Sequence, residues 1–137
     1  MSSLSQSLLN RAVVVEKFVD LPATSATTVG IAVGAGTLVL SVGFEPFEAV
    51  PDVSTYTMDI TDGTTTFAND LNFDNTAAGT IKIGTTAGVV AANDTIDVVT
   101  TISGSPGVIS GRVFAVIADV SKYRDVAADT VDRDQLA

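Results

Sequence analysis

An alternating run of oxygen-bearing side chains is the clearest candidate for ligand chemistry in this sequence. Asp70, Asn72 and Asp74 stand at alternate positions, as in the first half of a calcium-binding loop, and Ca²⁺ takes about six to eight oxygen ligands. A loop of the EF-hand type also needs glycine at its sixth position and glutamate at its twelfth. Asn75 and Ile81 occupy those positions. We therefore predict a turn in which these side chains bond the nearby backbone, and a metal site is the weaker hypothesis.

Two pairs of neighbouring carboxylates have the residue types that glycoside hydrolysis uses, one carboxyl group as acid and the other as nucleophile or base. The pairs are Glu45 with Glu48 and Asp59 with Asp62. Sugar sites on β-folds usually also present aromatic platforms, whereas this sequence has no tryptophan and only two tyrosines. We therefore interpret these carboxylates as solvated charges in loops.

The residues on which most other enzyme classes depend are absent. The sequence has no cysteine and no histidine, which removes the thiolate nucleophile, the Cys-ligated zinc site and the Ser-His-Asp relay. The segment Gly34-Ala35-Gly36 lacks the third glycine of a nucleotide-binding fingerprint, and no helical pattern follows it. A hairpin turn is its predicted role. We therefore predict a protein that is not an enzyme and binds no cofactor.

The charge balance narrows the range of partners. Sixteen acidic and seven basic residues give a net charge of −9 at pH 7. A nucleic-acid-binding protein needs a cationic surface to displace counterions, and an anionic membrane also attracts basic segments. We therefore expect neither nucleic acid nor membrane as a partner. The acidity fits solubility or complementarity to a basic protein surface.

The elements that carry these residues are predicted to be β-strands. The 137 residues are enough for one domain, and 46% of them are hydrophobic while 17% are charged, as in a globular protein. The stretch 36–63 contains two strands with period-two alternation, which is typical of half-buried antiparallel strands. The residues predicted to face the core from these strands are Leu38, Leu40, Val42, Phe44, Tyr56, Met58 and Ile60.

Further strands are predicted on both sides of this stretch. Their ranges are 12–19, 28–33, 80–84, 87–91, 95–103 and 111–120. The first is apolar on both faces, as expected of a strand that is covered on two sides or lies at a subunit contact, and the last is predicted to be a central strand. Residues 67–79 show little periodicity and are predicted to be a loop or a short irregular helix. About eight strands indicate an antiparallel β-sandwich or a jelly-roll-like barrel.

The two ends of the chain differ in composition from this predicted domain at residues 12–120. Residues 1–11 are rich in serine and carry Leu4, Leu8 and Leu9 at helix-like spacing, without the pattern of a secretory signal. Residues 121–137 are charged and sparsely apolar. We predict an N-terminal arm and a C-terminal tail, because short terminal segments order when they find another subunit.

The order of these segments resembles that of small virion structural proteins of tailed bacteriophages. Capsid decoration (cement) proteins are the nearest class, and the likeness spans about residues 12–120. The segments that carry it are GTLVL (36–40), FEPF (44–47), DG (62–63), NDLN (69–72), TAAGT (76–80), ANDTI (92–96) and the final valine-rich strand. The resemblance implies a non-enzymatic, often trimeric protein. Made in the host cytoplasm, such a protein binds the major capsid protein on the outer surface of the shell and bridges neighbouring capsomers.

We hypothesise that the two terminal segments and the loop at residues 45–52 make the contacts with the capsid or between subunits. The predicted contact residues are Leu4, Leu8, Leu9, Glu45, Phe47, Glu48, Tyr123 and Arg124. A tail or fibre component is an alternative within the virion. A cell-surface adhesion or carbohydrate-binding module would use the same fold, and it predicts exposed aromatic side chains around a groove.

Overall fold

The structure, a computed structural model, describes residues 12–119, and these form two antiparallel sheets packed face to face. The strands in this range are β1 (Val13–Leu21), β2 (Ala26–Val33), β3 (Thr37–Pro46), β4 (Thr55–Thr61), β5 (Thr66–Asn72), β6 (Lys82–Gly84), β7 (Gly88–Val89), β8 (Asp94–Ser103) and β9 (Ile109–Asp119). None of these residues forms a helix that could cross a membrane. The prediction of an all-β sandwich is confirmed.

The chain crosses several times between the two sheets. The front sheet contains β1, β9, β3 and β6 in that order, and β7 also pairs with β3. The back sheet contains β2, β8, β4 and β5. The pairing is nested, because β1 pairs with β9, β2 with β8, β3 with β6 and β7, and β4 with β5. β9 lies between β1 and β3, so its prediction as a central strand is confirmed.

The core lies between the inner faces of the two sheets. β4 and β8 keep an unbroken alternation, so that every second side chain points inward: Tyr56, Met58 and Ile60 are fully buried from β4, and Ile96 and Val98 from β8. The inner face predicted for β4 is therefore confirmed. The remaining large buried side chains come mainly from the front sheet and the loops and are Leu21, Val39, Val42, Phe44, Phe67, Phe73, Val90 and Ile109.

The inner face predicted for β3 is only partly correct. Val42 and Phe44 are buried as predicted, but Leu38 and Leu40 are half-buried and Val39 is fully buried instead. The register with β9 shifts between Val39 and Ser41. This β-bulge adds one residue to β3, which reverses the alternation on its two sides.

The prediction of a loop or irregular helix at residues 67–79 is wrong over its first half, where β5 pairs with β4. The alternation is hidden because the register shifts twice along this pair and Asp70 has a left-handed φ of 54°. As a result Phe67 and Ala68, which are consecutive, are both buried. Pairing with β4, rather than a local pattern, determines this strand.

Candidate contact surface

The outer face of the front sheet carries the large exposed side chains of β1. Val19 and Leu21 point into the core, so the alternation turns Val14, Glu16 and Phe18 outward. Val14 is 65% exposed and Phe18 67% exposed. The prediction that β1 is covered on both faces does not hold within residues 12–119. The other possibility stated from the sequence, a subunit contact at β1, stays a prediction.

Arg112 links three strands on this outer face. It stands opposite Phe18 on β1 and opposite Glu45 on β3, and directly paired residues of antiparallel strands face the same side. Its Nε donates to Glu45 Oε1 at 2.7 Å and its Nη1 donates to Glu16 Oε1 at 3.0 Å. The hydrogen bond to Glu45 raises the pKa of the Arg112 guanidinium above its ordinary value. The guanidinium, which stays protonated in proteins, lies between two carboxylates.

Two phenylalanine rings meet beside this ion-pair network. Phe18 and Phe47 form an edge-to-face pair with ring centroids 5.4 Å apart and planes 86° apart. Phe47 is 47% exposed and follows directly after β3. Its backbone N–H donates to the carbonyl oxygen of Ser110 on β9 at 2.8 Å. Both rings are thus attached to the front sheet by backbone pairing.

Ser110 fixes two further carboxylates at the border of the rings. Its N–H donates to Glu48 Oε2 at 2.9 Å, and its Oγ donates to Asp20 Oδ1 at 2.7 Å. We call the set Phe18, Phe47, Glu16, Asp20, Glu45, Glu48 and Arg112 the aromatic–acidic patch. Its four carboxylates and one guanidinium give a formal charge of −3.

The outer face continues as an apolar surface away from the patch. The Arg112 guanidinium lies 4.8 Å from the ring centroid of Phe114, which stands opposite Gly43. A Cβ atom on Gly43 would lie 2.4 Å from Cζ of Phe114 and 2.9 Å from Cγ2 of Ile83. The Phe114 ring therefore occupies the space over a position that only glycine leaves free. The Phe114 side chain is therefore half-buried although it lies on the outer face.

The outer face of the back sheet has a different character. The outward residues of its two central strands are Thr55, Thr57, Asp59 and Thr61 on β4 and Thr95, Asp97, Val99 and Thr101 on β8. Its carboxylates bond the backbone: Asp97 Oδ1 accepts from Gly30 N–H at 3.2 Å, and Asp59 Oδ1 accepts from Asp70 N–H at 2.7 Å. Apart from Val99, the outward side chains of these two strands are polar.

Two of the three residues considered as calcium ligands, Asn72 and Asp74, accept hydrogen bonds from backbone N–H groups. Asn72 Oδ1 accepts from Asp74 N–H at 2.9 Å, and Asp74 Oδ1 accepts from Val53 N–H at 2.7 Å. Asp70 lies at the irregular end of β5. Within residues 12–119 no three Asp, Glu, His or Cys side chains come together in a way that could hold a metal ion. The geometry is that of an Asx turn followed by a capped loop.

The carboxylates of both pairs accept hydrogen bonds from other parts of the protein. Glu45 bonds Arg112 and Glu48 bonds Ser110, so the two are held by different donors. Asp62 is buried, and its Oδ1 accepts from the N–H groups of Thr64 and Thr65 at 2.8 and 2.7 Å. The turn after β4 uses this carboxylate as a cap.

The structure brings together three of the predicted contact residues, Glu45, Phe47 and Glu48, in the aromatic–acidic patch. The others, Leu4, Leu8, Leu9, Tyr123 and Arg124, lie outside the described residues. Sequence reasoning missed the patch residues on β1 and β9, which are Glu16, Phe18, Asp20 and Arg112. For two of them a signal was present: a phenylalanine on the polar-facing phase of β1, and an arginine inside the mainly apolar β9.

Comparison with known proteins gives a likeness of fold. No protein-family model and no curated protein sequence matches the chain. A chain in the capsid asymmetric unit of cyanophage Pam1 is 17% identical, with a TM-score of 0.57 over 78% of this chain and 84% of that one.

A chain in the acid-stable capsid of the Helicobacter pylori bacteriophage KHP30 is also similar. It is 13% identical, with a TM-score of 0.56 over 77% of this chain and 87% of that one. Since the aligned part covers most of both partners in each comparison, the matched chains are close in length to this one. The resemblance to phage virion structural proteins, stated from the sequence, is confirmed as a shared fold.

Proposed function

We propose that this chain is a non-enzymatic structural protein of a phage virion, which binds the outer surface of the capsid and bridges neighbouring capsomers. The observation that carries the proposal is the shared fold with chains of two phage capsids, over most of the length of each partner.

The strand order supports this assignment. If β6 and β7 are taken as one interrupted strand, the first strand pairs with the last, the second with the next to last, and so on to β4 with β5. We interpret this nested order as a jelly roll, the double-sheet architecture of many viral capsid and lectin domains. The lectin case keeps the adhesion module among the alternatives.

The difference between the two outer faces supports attachment of the protein to the outer surface of a capsid shell. A protein attached to the outside of a shell has one face against the shell and another in water. The front sheet offers the aromatic–acidic patch for the first role, and the threonine-rich back sheet suits the second. In this proposal the major capsid protein is the partner of the loop at residues 45–52. The terminal segments at residues 1–11 and 121–137 reach the neighbouring subunits, and three copies form a trimer.

The copy number of the protein in purified particles tests the proposal. Quantitative mass spectrometry against the major shell protein is expected to give one copy per shell subunit or a simple fraction of it. A handful of copies per particle would assign the protein to the tail or a fibre instead. Absence from the particles would overturn the virion role and leave the adhesion module.

A further inference from the structure

We propose that the aromatic–acidic patch is the anchor of the interface and that it docks onto a basic protein surface, with Phe18 and Phe47 seated in an apolar recess bordered by lysine and arginine side chains. This inference rests on the proposed function, because the shell is the partner that supplies this surface.

The first step is the exposure of the two rings. Phe18 and Phe47 are 67% and 47% exposed. Formation of a strand does not require phenylalanine on an outer face, because threonine also favours strands and serves there on the back sheet. Large aromatic side chains that are grouped and exposed mark interaction sites, and such residues supply most of the binding energy of an interface when a pocket desolvates them.

The second step is rigidity. β1 pairs with β9 through nine consecutive residues without a register shift, from Val13 opposite Ile117 to Leu21 opposite Ile109. This pairing fixes the backbone of Phe18, and the hydrogen bond to Ser110 fixes that of Phe47. Because the rings also pack against each other, little freedom is left to lose on binding.

The third step is charge. Four carboxylates surround the rings, each oriented by a hydrogen bond from Arg112 or Ser110, and the net formal charge of the patch is −3. Lys17 adjoins Phe18 in sequence but extends from the opposite side of β1. A second copy of the chain would bring the same negative patch and a net charge of −9. Electrostatic complementarity therefore favours a basic partner over self-association through this surface.

The test measures binding of the purified full-length protein to shells from which it has been stripped. The variants Phe18→Ala and Phe47→Ala are each expected to weaken binding at least about tenfold, as for an interface hot spot. Val29→Ala is the matched control, because Val29 is 56% exposed on the back sheet. It is expected to change binding less than about twofold, as for a residue outside the interface. Thermal unfolding checks that all variants fold.

The charge requirement is tested with Asp20→Asn and Glu48→Gln. Both amides keep an oxygen that can accept the hydrogen bonds from Ser110, so the patch keeps its shape and loses charge. Wild-type binding is expected to weaken as sodium chloride increases, since salt screens exposed charges beyond about 10 Å at 0.1 M. The double variant is expected to bind more weakly at low salt and to depend less on salt.

Three results would overturn the inference while leaving the virion role intact. One is wild-type affinity in both phenylalanine variants. The second is binding that does not respond to salt or to the amide variants. The third is that Phe18→Ala loses self-association, as measured by sedimentation velocity, while its binding to shells is unchanged. In that case a second copy of the chain would bind the patch. Failure of the wild-type protein itself to bind stripped shells would instead contradict the proposed function.

Discussion

The two outer faces of the sandwich belong to sheets of the same kind, yet they have opposite chemistry. On the front sheet the exposed ring of Phe18 and the half-buried side chains of Arg112 and Phe114 form packed contacts, whereas on the back sheet the polar side chains of Thr57 and Thr101 point outward. Folding requires only that the inner faces be apolar. The aromatic outer face therefore answers a requirement other than folding, and contact with a partner is the requirement we propose.

Substitution of Gly43 tests whether the front outer face is packed like an interior. In Gly43→Ala the new Cβ would approach Cζ of Phe114 to 2.4 Å and the carbonyl oxygen of Lys82 to 2.9 Å. Overpacking of this kind costs about 1–3 kcal/mol of unfolding free energy. Denaturant titration measures the loss.

The matched control for this substitution is Gly34→Ala. Its new Cβ would have Asn93 Oδ1 at 3.7 Å as its nearest neighbour. We expect no loss of stability there, or a small gain from the reduced freedom of the unfolded chain. Equal unfolding midpoints for the two variants would show that the Phe114 ring moves aside freely and that this face is not packed.

Removal of the Arg112 charge is expected to have a smaller effect. In Arg112→Met the alkyl stem keeps its packing, but Glu16 and Glu45 lose the cation between them, and the side chain is only 24% exposed. We expect a loss of about 1 kcal/mol, toward the upper end for ion pairs near a surface. Since the remaining carboxylates repel each other, the loss should shrink as salt increases.

Lys17→Met provides the comparison for this charge effect. Lys17 is an exposed cation on the same strand pair, without an ion pair in the described part of the chain. Its removal is expected to change the unfolding free energy by less than about 0.5 kcal/mol. If the two variants were equally stable, the Arg112 network would contribute nothing to the front face.

The regularity of each strand determined whether its inner face could be predicted from the sequence. β4 and β8 were predictable because their alternation is unbroken, from Tyr56 to Ile60 and from Ile96 onward. β3 and β5 were predicted less well because bulges and a left-handed residue at Asp70 interrupt the pattern, and no local signal marks a register shift.

The residues of the aromatic–acidic patch were likewise predicted only in part. Glu45 and Phe47 were predicted from a loop that displays them, but the role of Phe18 and Arg112 depends on which residues of β1 and β9 stand opposite each other. Register between strands that are far apart in sequence follows from the whole core rather than from either segment. Local reasoning therefore found the loop side of the patch and missed its strand side.

Tyr56, on the inner face of the back sheet, is the site of the smallest predicted loss of stability. The side chain is fully buried, and its hydroxyl has no hydrogen-bond partner among residues 12–119. Burial, with a contribution from the negative charge of Glu48, raises the pKa of Tyr56 to about 12. Since the hydroxyl forms no bond that would be lost and its burial without a partner is unfavourable, Tyr56→Phe is expected to leave the unfolding free energy at pH 7 unchanged or to raise it by about 1 kcal/mol.

The pH dependence of this residue has a definite sign. The unfolded chain releases the phenolic proton near the ordinary pKa of about 10, while the native protein holds it to about 12. The stability that the protonated Tyr56 hydroxyl contributes is therefore fully present below pH 10. Wild-type stability should fall as pH rises from 10 to 12, by up to about 1.4 kcal/mol per pH unit. The phenylalanine variant lacks this group and should fall less steeply over the same range. Parallel curves would mean that the hydroxyl is in contact with water and that burial does not raise its pKa. A loss above about 1 kcal/mol in the variant at pH 7 would mean that the hydroxyl forms a hydrogen bond in solution.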